Sequence, residues 1–120
     1  MRAGGFHHLA IKTRDVLGLV EFYAAVLGLE EERRFTDERG LRSVWLALPP
    51  GRLMIERAER ADVPALEDRP GLHLLALRIE ELEPWRRHLG ARVEHETKYT
   101  LYVRDPDGNR VGLSTLVNLD

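Results

Sequence analysis

Residues 8–15 read HLAIKTRD and residues 74–81 read LLALRIEE. An offset of 66 lays one on the other: Leu9 falls on Leu75, Ala10 on Ala76, Lys12 on Arg78 and Asp15 on Glu81. Just upstream, His7 falls on His73. In the first copy Leu9, Ile11 and Thr13 alternate with His8, Ala10 and Lys12, the period of two expected of a strand with one buried face. Asp15 then reads as a helix N-cap, its carboxylate accepting from backbone N–H groups that lack partners in the first turn. Val16, Leu19, Val20, Tyr23, Val26 and Leu27 follow at helical spacing, and Gly28 ends the run where a left-handed residue is cheap for glycine. In the second copy Glu81 caps a shorter helix bearing Leu82, Trp85 and Leu89. Pro84 lies in its first turn, where a missing N–H costs nothing, and Gly90 ends it. One offset that aligns a strand and a helix cap together marks an internal repeat.

Working outward, three strand candidates follow each helix: residues 29–36, 41–48 and 52–58, then 91–96, 99–104 and 109–117. Pro49-Pro50-Gly51 and Asp105-Pro106-Asp107-Gly108 are turn signals between the last two strands of each set. Gly51 and Gly108 pair at an offset of 57, so the first copy carries nine more residues between cap and turn, partly in its longer helix. The stretch ERAERADVPALEDRPG, polar and with two prolines, reads as a linker. The expected fold is α+β: a single domain of two βαβββ modules, about 1–60 and 68–120, with curved mixed sheets enclosing a concave pocket. Each sheet takes its helix on one face and leaves the other for a partner sheet or a ligand.

Composition narrows the function. At 120 residues, with 43% of them hydrophobic, the chain suits one compact domain with a core of its own. Eighteen Lys and Arg against 20 Asp and Glu give a net charge of −2, which argues against nucleic-acid binding through a basic face. No apolar run approaches the roughly 20 residues that span a bilayer, and the first residues, MRAGGFHHLA, lack a secretory apolar segment. A cytoplasmic protein without a membrane partner is the expectation. With no cysteine there is no disulfide, thiolate nucleophile or Cys-based zinc site, while five His and 20 carboxylates leave other metal chemistry open. Neither a phosphate-cradling loop before a helix nor a serine nucleophile elbow is present.

HLAIKTRD followed by FYAAVLGL, with YVRDPDGNRVGL near the end, resembles the vicinal oxygen chelate superfamily of glyoxalase I, bleomycin-resistance proteins and extradiol dioxygenases. The resemblance covers nearly the whole chain. In metal-using members it implies a His on the first strand, a Glu on the fourth, a His or Glu on the fifth and a Glu on the eighth, converging on a divalent cation. Carried over, the first position is His8, seven residues before Asp15, and the fourth-strand position falls at about Glu56. The fifth is Leu74, seven before Glu81; His73 is one residue away, which in a strand means the opposite face. The eighth, four residues after Gly108, is Gly112.

Two donors of four hold a divalent ion poorly, so no cofactor is expected, and the residues point to a protein that binds a small organic molecule. The alternative is a divalent-metal-dependent lyase, isomerase or dioxygenase using His8 and Glu56, and whether the protein is an enzyme stays open. A third reading is a dimeric scaffold without a ligand. His8 would bind a metal, orient a ligand, or sit satisfied in a half-buried strand. Glu56 would be a base in a partly apolar cavity, or a surface Glu paired with a nearby Arg. Trp45 and Tyr102 would be pocket aromatics or core residues. The acidic run at 30–32 reads as a solvated strand start. Lys12, Arg52, Arg78 and Arg110 fall on the concave side by alternation, which favours an anionic ligand, a carboxylate or phenolate, with Gly112 leaving room for it. The alternative is that Lys12 and Arg78 reach into solvent. A homodimer is expected, since a small chain with open sheets gains from a partner.

Overall fold

The computed structural model describes residues 1–58, 72 and 74–115. The linker reading for 59–71, His73 and the strand tail beyond Thr115 lie outside the described residues. The chain divides into two compact units, Met1–Ala65 and Leu66–Asp120. Each holds a four-stranded mixed sheet and one helix in βαβββ order, the α+β architecture that the repeat implies.

In the first unit β1 (His8–Thr13) leads to helix α1 (Val16–Glu21), then β2 (Glu31–Asp37), β3 (Gly40–Leu48) and β4 (Gly51–Arg57). The sheet order is β1-β4-β3-β2, with β1 parallel to β4 and the other pairs antiparallel. Asp15 caps α1, its Oδ1 accepting from Gly18 N at 3.0 Å, while its own N–H donates to Thr13 Oγ1 at 3.0 Å. The helix does not run unbroken to Gly28. A π turn, Phe22–Val26, follows, with Leu27 N–H donating to Phe22 O at 3.1 Å. The wider turn lets Phe22, Tyr23 and Leu27 all bury their side chains, where a strict helical stripe would turn Phe22 outward. Gly28 then adopts φ of 82°, the left-handed geometry that ends the helix. Val44, Leu46, Leu53 and Ile55 are wholly buried on the sheet face beneath α1.

The second unit repeats the scheme with β5 (Leu75–Arg78), helix α2 (Leu82–Leu89), β6 (His95–Glu96), β7 (Thr100–Arg104) and β8 (Arg110–Ser114), in the order β5-β8-β7-β6. Leu77, Ile79, Leu89, Leu101, Val103, Val111 and Leu113 form its core. Glu81 holds the N-cap position but its side chain makes no cap bond. The strand expected over 91–96 shrinks to two residues, because Gly90–Arg92 continues from α2 as a 3-10 turn closed by Val93 N–H on Gly90 O. Asp105 is buried and organises the β7–β8 turn: its carboxylate accepts from Asp107 N, Asn109 N and Asn109 Nδ2 at 2.9, 2.8 and 2.7 Å. Gly108 N–H closes the turn on Asp105 O at 2.9 Å. Among the described residues no helix is long and apolar enough to cross a membrane.

Candidate functional site

Strand register places the candidate residues. In the first sheet His8 lies beside Arg52, Ala10 beside Met54 and Lys12 beside Glu56; β3 sets Ala47, Trp45 and Ser43 against the same three β4 residues. In the second sheet Ala76 lies beside Gly112 and Arg78 beside Ser114, and β7 sets Arg104, Tyr102 and Thr100 against Arg110, Gly112 and Ser114. The two networks superpose residue by residue. Trp45 corresponds to Tyr102, Arg52 to Arg110, Met54 to Gly112 and Glu56 to Ser114. All lie on the sheet face that the helix leaves open, since the intervening residues, such as Leu53 and Val111, are buried.

This register bears on how a metal would fit the described residues. The register counterpart of Gly112 on the fourth strand is Met54, two residues before Glu56, and the turns contribute a one-residue difference between the modules. The β3–β4 turn spans only Pro49 and Pro50, between paired Leu48 and Gly51, whereas β7 and β8 are joined through Asp105–Asn109. The offset between modules is therefore 57 on the third strand and 58 on the fourth. His8 and Glu56 stand four residues apart along the paired strands, roughly 13 Å of strand length, too far for one ion. The residue beside His8 is Arg52, a cation. With Leu74 and Gly112 in the other two positions, the donor set at these positions among the described residues reduces to His8, which does not fit a divalent metal. Among the described residues no three His, Asp or Glu are grouped to hold one.

What the open faces do hold are aromatic rings with guanidinium groups on them. In the first sheet Arg52 lies 5.2 Å from the Trp45 ring centroid, and His8 stacks on the same indole at 6.2 Å and 18°. Phe35 approaches Trp45 at 6.0 Å and carries Arg33 at 5.0 Å. His7 and His8 bring their Nδ1 atoms to 2.8 Å, one ring donating to the other. Arg52 is also held by Glu32 across a 2.9 Å bond, which raises its pKa. In the second sheet Arg110 lies 4.1 Å from the Tyr102 centroid, and His95 stacks under Tyr102 at 5.7 Å and 29°. Thr100 Oγ1 donates to Ser114 Oγ at 2.9 Å. Each such cation–π contact contributes about 0.5–2 kcal/mol and fixes the guanidinium plane.

Gly112 answers differently from the expectation of free room. A Cβ there would meet Thr100 Cγ2 and Tyr102 Cε1 at 3.4 Å and Leu74 Cδ1 at 3.6 Å, so neighbouring side chains already close over it. Trp45, Glu56, Tyr102 and Arg110 are half-buried, His8, Leu74 and Arg78 exposed. His95 and Glu32 carried no sequence signal as site residues. The period of two in the second sheet finds His95 only once its short strand is known, and Glu32 lies at a register shift that alternation cannot foresee.

Solved structures share the fold. A lactoylglutathione lyase from Agrobacterium tumefaciens superposes with a TM-score of 0.71 at 19% identity, over 95% of each chain. A glyoxalase family protein from Enterococcus faecalis gives 0.70 at 25% identity, over 92% of this chain and 96% of that one. The fosfomycin resistance protein FosX from Mesorhizobium loti gives 0.72 at 15%, over 97% and 94%. No curated protein matches the sequence. The family model that matches covers residues 5–113, nearly the whole of both modules, and the chain belongs to the Glyoxalase/Bleomycin resistance protein/Dioxygenase superfamily.

Proposed function

We propose that the protein binds a small organic anion, a carboxylate or phenolate, on the open face of its second sheet, with arginine doing what a metal does in metal-using relatives. The observation that carries this reading is the charge of that face. Arg78, Arg104 and Arg110 project from it, and Arg104 is paired with Glu94 at 3.0 Å. The one acidic residue in its four strands, Glu96, bonds Arg86 of α2 on the other side. In the first sheet Arg52 is ion-paired with Glu32, and Lys12 has the acidic Glu56 beside it in the strand register. A planar guanidinium stacked on Tyr102 is suited to a carboxylate, and the ring and Leu74 offer apolar contact.

The metal-dependent lyase, isomerase or dioxygenase reading needs at least three converging donors, and it is disfavoured because, among the described residues, the family's ligand positions hold His8 as their one donor. We further take the protein to act as a cytoplasmic homodimer in which β1 and β5, the outer strands of the two described sheets, find partners. A monomer by light scattering at micromolar concentration would refute that part.

The test of binding is a titration with benzoate, phenol, benzylamine and benzyl alcohol, followed by thermal shift and calorimetry. Benzoate is expected to bind best, and Arg110→Ala to weaken it about tenfold, the worth of one charge-assisted hydrogen bond. Arg110→Lys retains the charge but loses the fork, and is expected to fall between. A preference for benzylamine, or unchanged benzoate affinity in both Arg110 variants and Arg78→Ala, would overturn the reading.

A further inference from the structure

Arg110 shares the Tyr102 ring with a second side chain. Tyr102 stands on β7 between β8 and β6, and each neighbouring strand brings a nitrogen-bearing group to it. From β8 comes Arg110, 4.1 Å from the ring centroid; from β6 comes His95, its imidazole stacked at 5.7 Å and 29°. His95 is the cross-strand partner of Tyr102, so the two side chains project from the same sheet face. The imidazole is exposed and exchanges protons with solvent. Of a guanidinium, a phenol and an imidazole, only the imidazole ordinarily changes charge between about pH 5 and 8. The acids near His95 each hold a cation already. Glu94, just before β6, accepts from Arg104 of β7 at 3.0 Å. Glu96 accepts from Arg86 of α2 at 2.7 Å, and that bond, with a smaller contribution from His95, holds its carboxyl below the usual range. Lys98, beyond the end of β6, lies over the Tyr99 ring at 5.3 Å. A proton on His95 therefore adds positive charge to a face already occupied by Arg104 and Arg110.

We infer that His95 makes the second sheet's anion site pH-dependent: charged, it sets a second cation against the Tyr102 ring and tightens the hold on a carboxylate, and neutral, it only supports the ring. This rests on the reading that Arg110 on Tyr102 anchors an anion. Two cations against one ring repel each other, and a carboxylate between them relieves the repulsion. Binding and protonation thus favour each other, and by reciprocity binding takes up protons. The sign is that affinity rises as pH falls through the imidazole range. The opposite sign would follow if the ligand needed a neutral ring nitrogen as a hydrogen-bond acceptor. Because His95 is exposed, its effect is that of one solvated charge.

Benzoate, which stays ionised throughout, is titrated by calorimetry at about pH 5.5 and about pH 8, on either side of the imidazole range, at constant ionic strength. The parent is expected to bind about two- to fivefold more tightly at the lower pH, the range of one exposed charge pair. Buffers of different ionisation heat are expected to show proton uptake on binding. His95→Phe keeps a ring against Tyr102 but cannot take a proton. It is expected to bind alike at both pH values, with the parent's affinity at the higher one and no proton uptake. His88→Asn removes an imidazole from α2 and is expected to keep the parent's pH dependence. Parent affinity that is equal or weaker at the lower pH, or a His95→Phe protein that retains the parent's pH dependence, would overturn the inference. If that happens while Arg110→Ala still weakens benzoate binding at the higher pH, only the role of His95 falls. Loss of the Arg110 effect as well would remove the reading beneath it.

Discussion

Replacing Gly112 distinguishes a vacant ligand slot from one filled by the protein's own side chains. Gly112 lies within β8, where glycine costs backbone entropy and contributes no packing. Alanine there adds one methyl at 3.4 Å from Thr100 Cγ2 and Tyr102 Cε1 and 3.6 Å from Leu74 Cδ1, ordinary van der Waals contact. Relief of the glycine penalty, about 0.5–1 kcal/mol, and a buried methyl, at most about 0.8 kcal/mol, both favour the variant. Because the denatured chain already buries part of that surface, about 0.5–1.5 kcal/mol of net stabilisation is expected. For a chain of this size that is a rise in Tm of about 2–6 °C. Gly112→Glu places four more heavy atoms past the same Cβ and has to lever Tyr102 or Leu74 aside. Overpacking of this kind costs about 1–3 kcal/mol, only partly offset by the nearby Arg110. Urea denaturation of the three proteins at pH 7 measures both. A destabilised Gly112→Ala, or a Gly112→Glu as stable as the parent, would refute the packing described over Gly112.

Two further outcomes follow from the turn and the charge pairs. Asp105→Ala removes the acceptor of three N–H groups while the carboxylate's site is buried, and is expected to cost about 2–4 kcal/mol in urea denaturation; a loss under 0.5 kcal/mol would contradict it. Asp37 bonds Arg57 at 2.6 Å, and that bond, with Arg39 N–H, holds its carboxyl below the usual value of 3.8. A depressed folded pKa stabilises above the unfolded value and is lost as pH falls through the folded one. Asp37→Asn is therefore expected to be less stable than the parent at pH 7, with the difference shrinking below pH 4; a difference that grows in acid would oppose this.

The repeat was legible because a strand and a helix cap share one offset, and alternation assigned Arg52, Arg110 and Gly112 to the open face. What escaped was register across turns. Between equivalent pairs, four residues separate Ala47 from Arg52 and five separate Arg104 from Arg110, a difference that no propensity reveals, and the fourth-strand counterpart of Gly112 is Met54, two residues before Glu56. Glu32 escaped for a related reason. In sequence it belongs to an acidic run that reads as solvated, and only the shift between Glu31 and Arg33 turns it onto Arg52. The π turn at Phe22–Val26 left no trace either, since its side chains fit an ordinary helical stripe until Phe22 is seen to be buried.

The most direct measurement is a benzoate titration of isotopically labelled protein followed through its backbone amides. Saturable shifts centred on Ala76, Tyr102, Arg110 and Gly112, abolished by Arg110→Ala, are the result expected if the second sheet's open face is the anion site. Saturable binding whose shifts avoid those residues, or shifts there that benzylamine produces more strongly than benzoate, would contradict it.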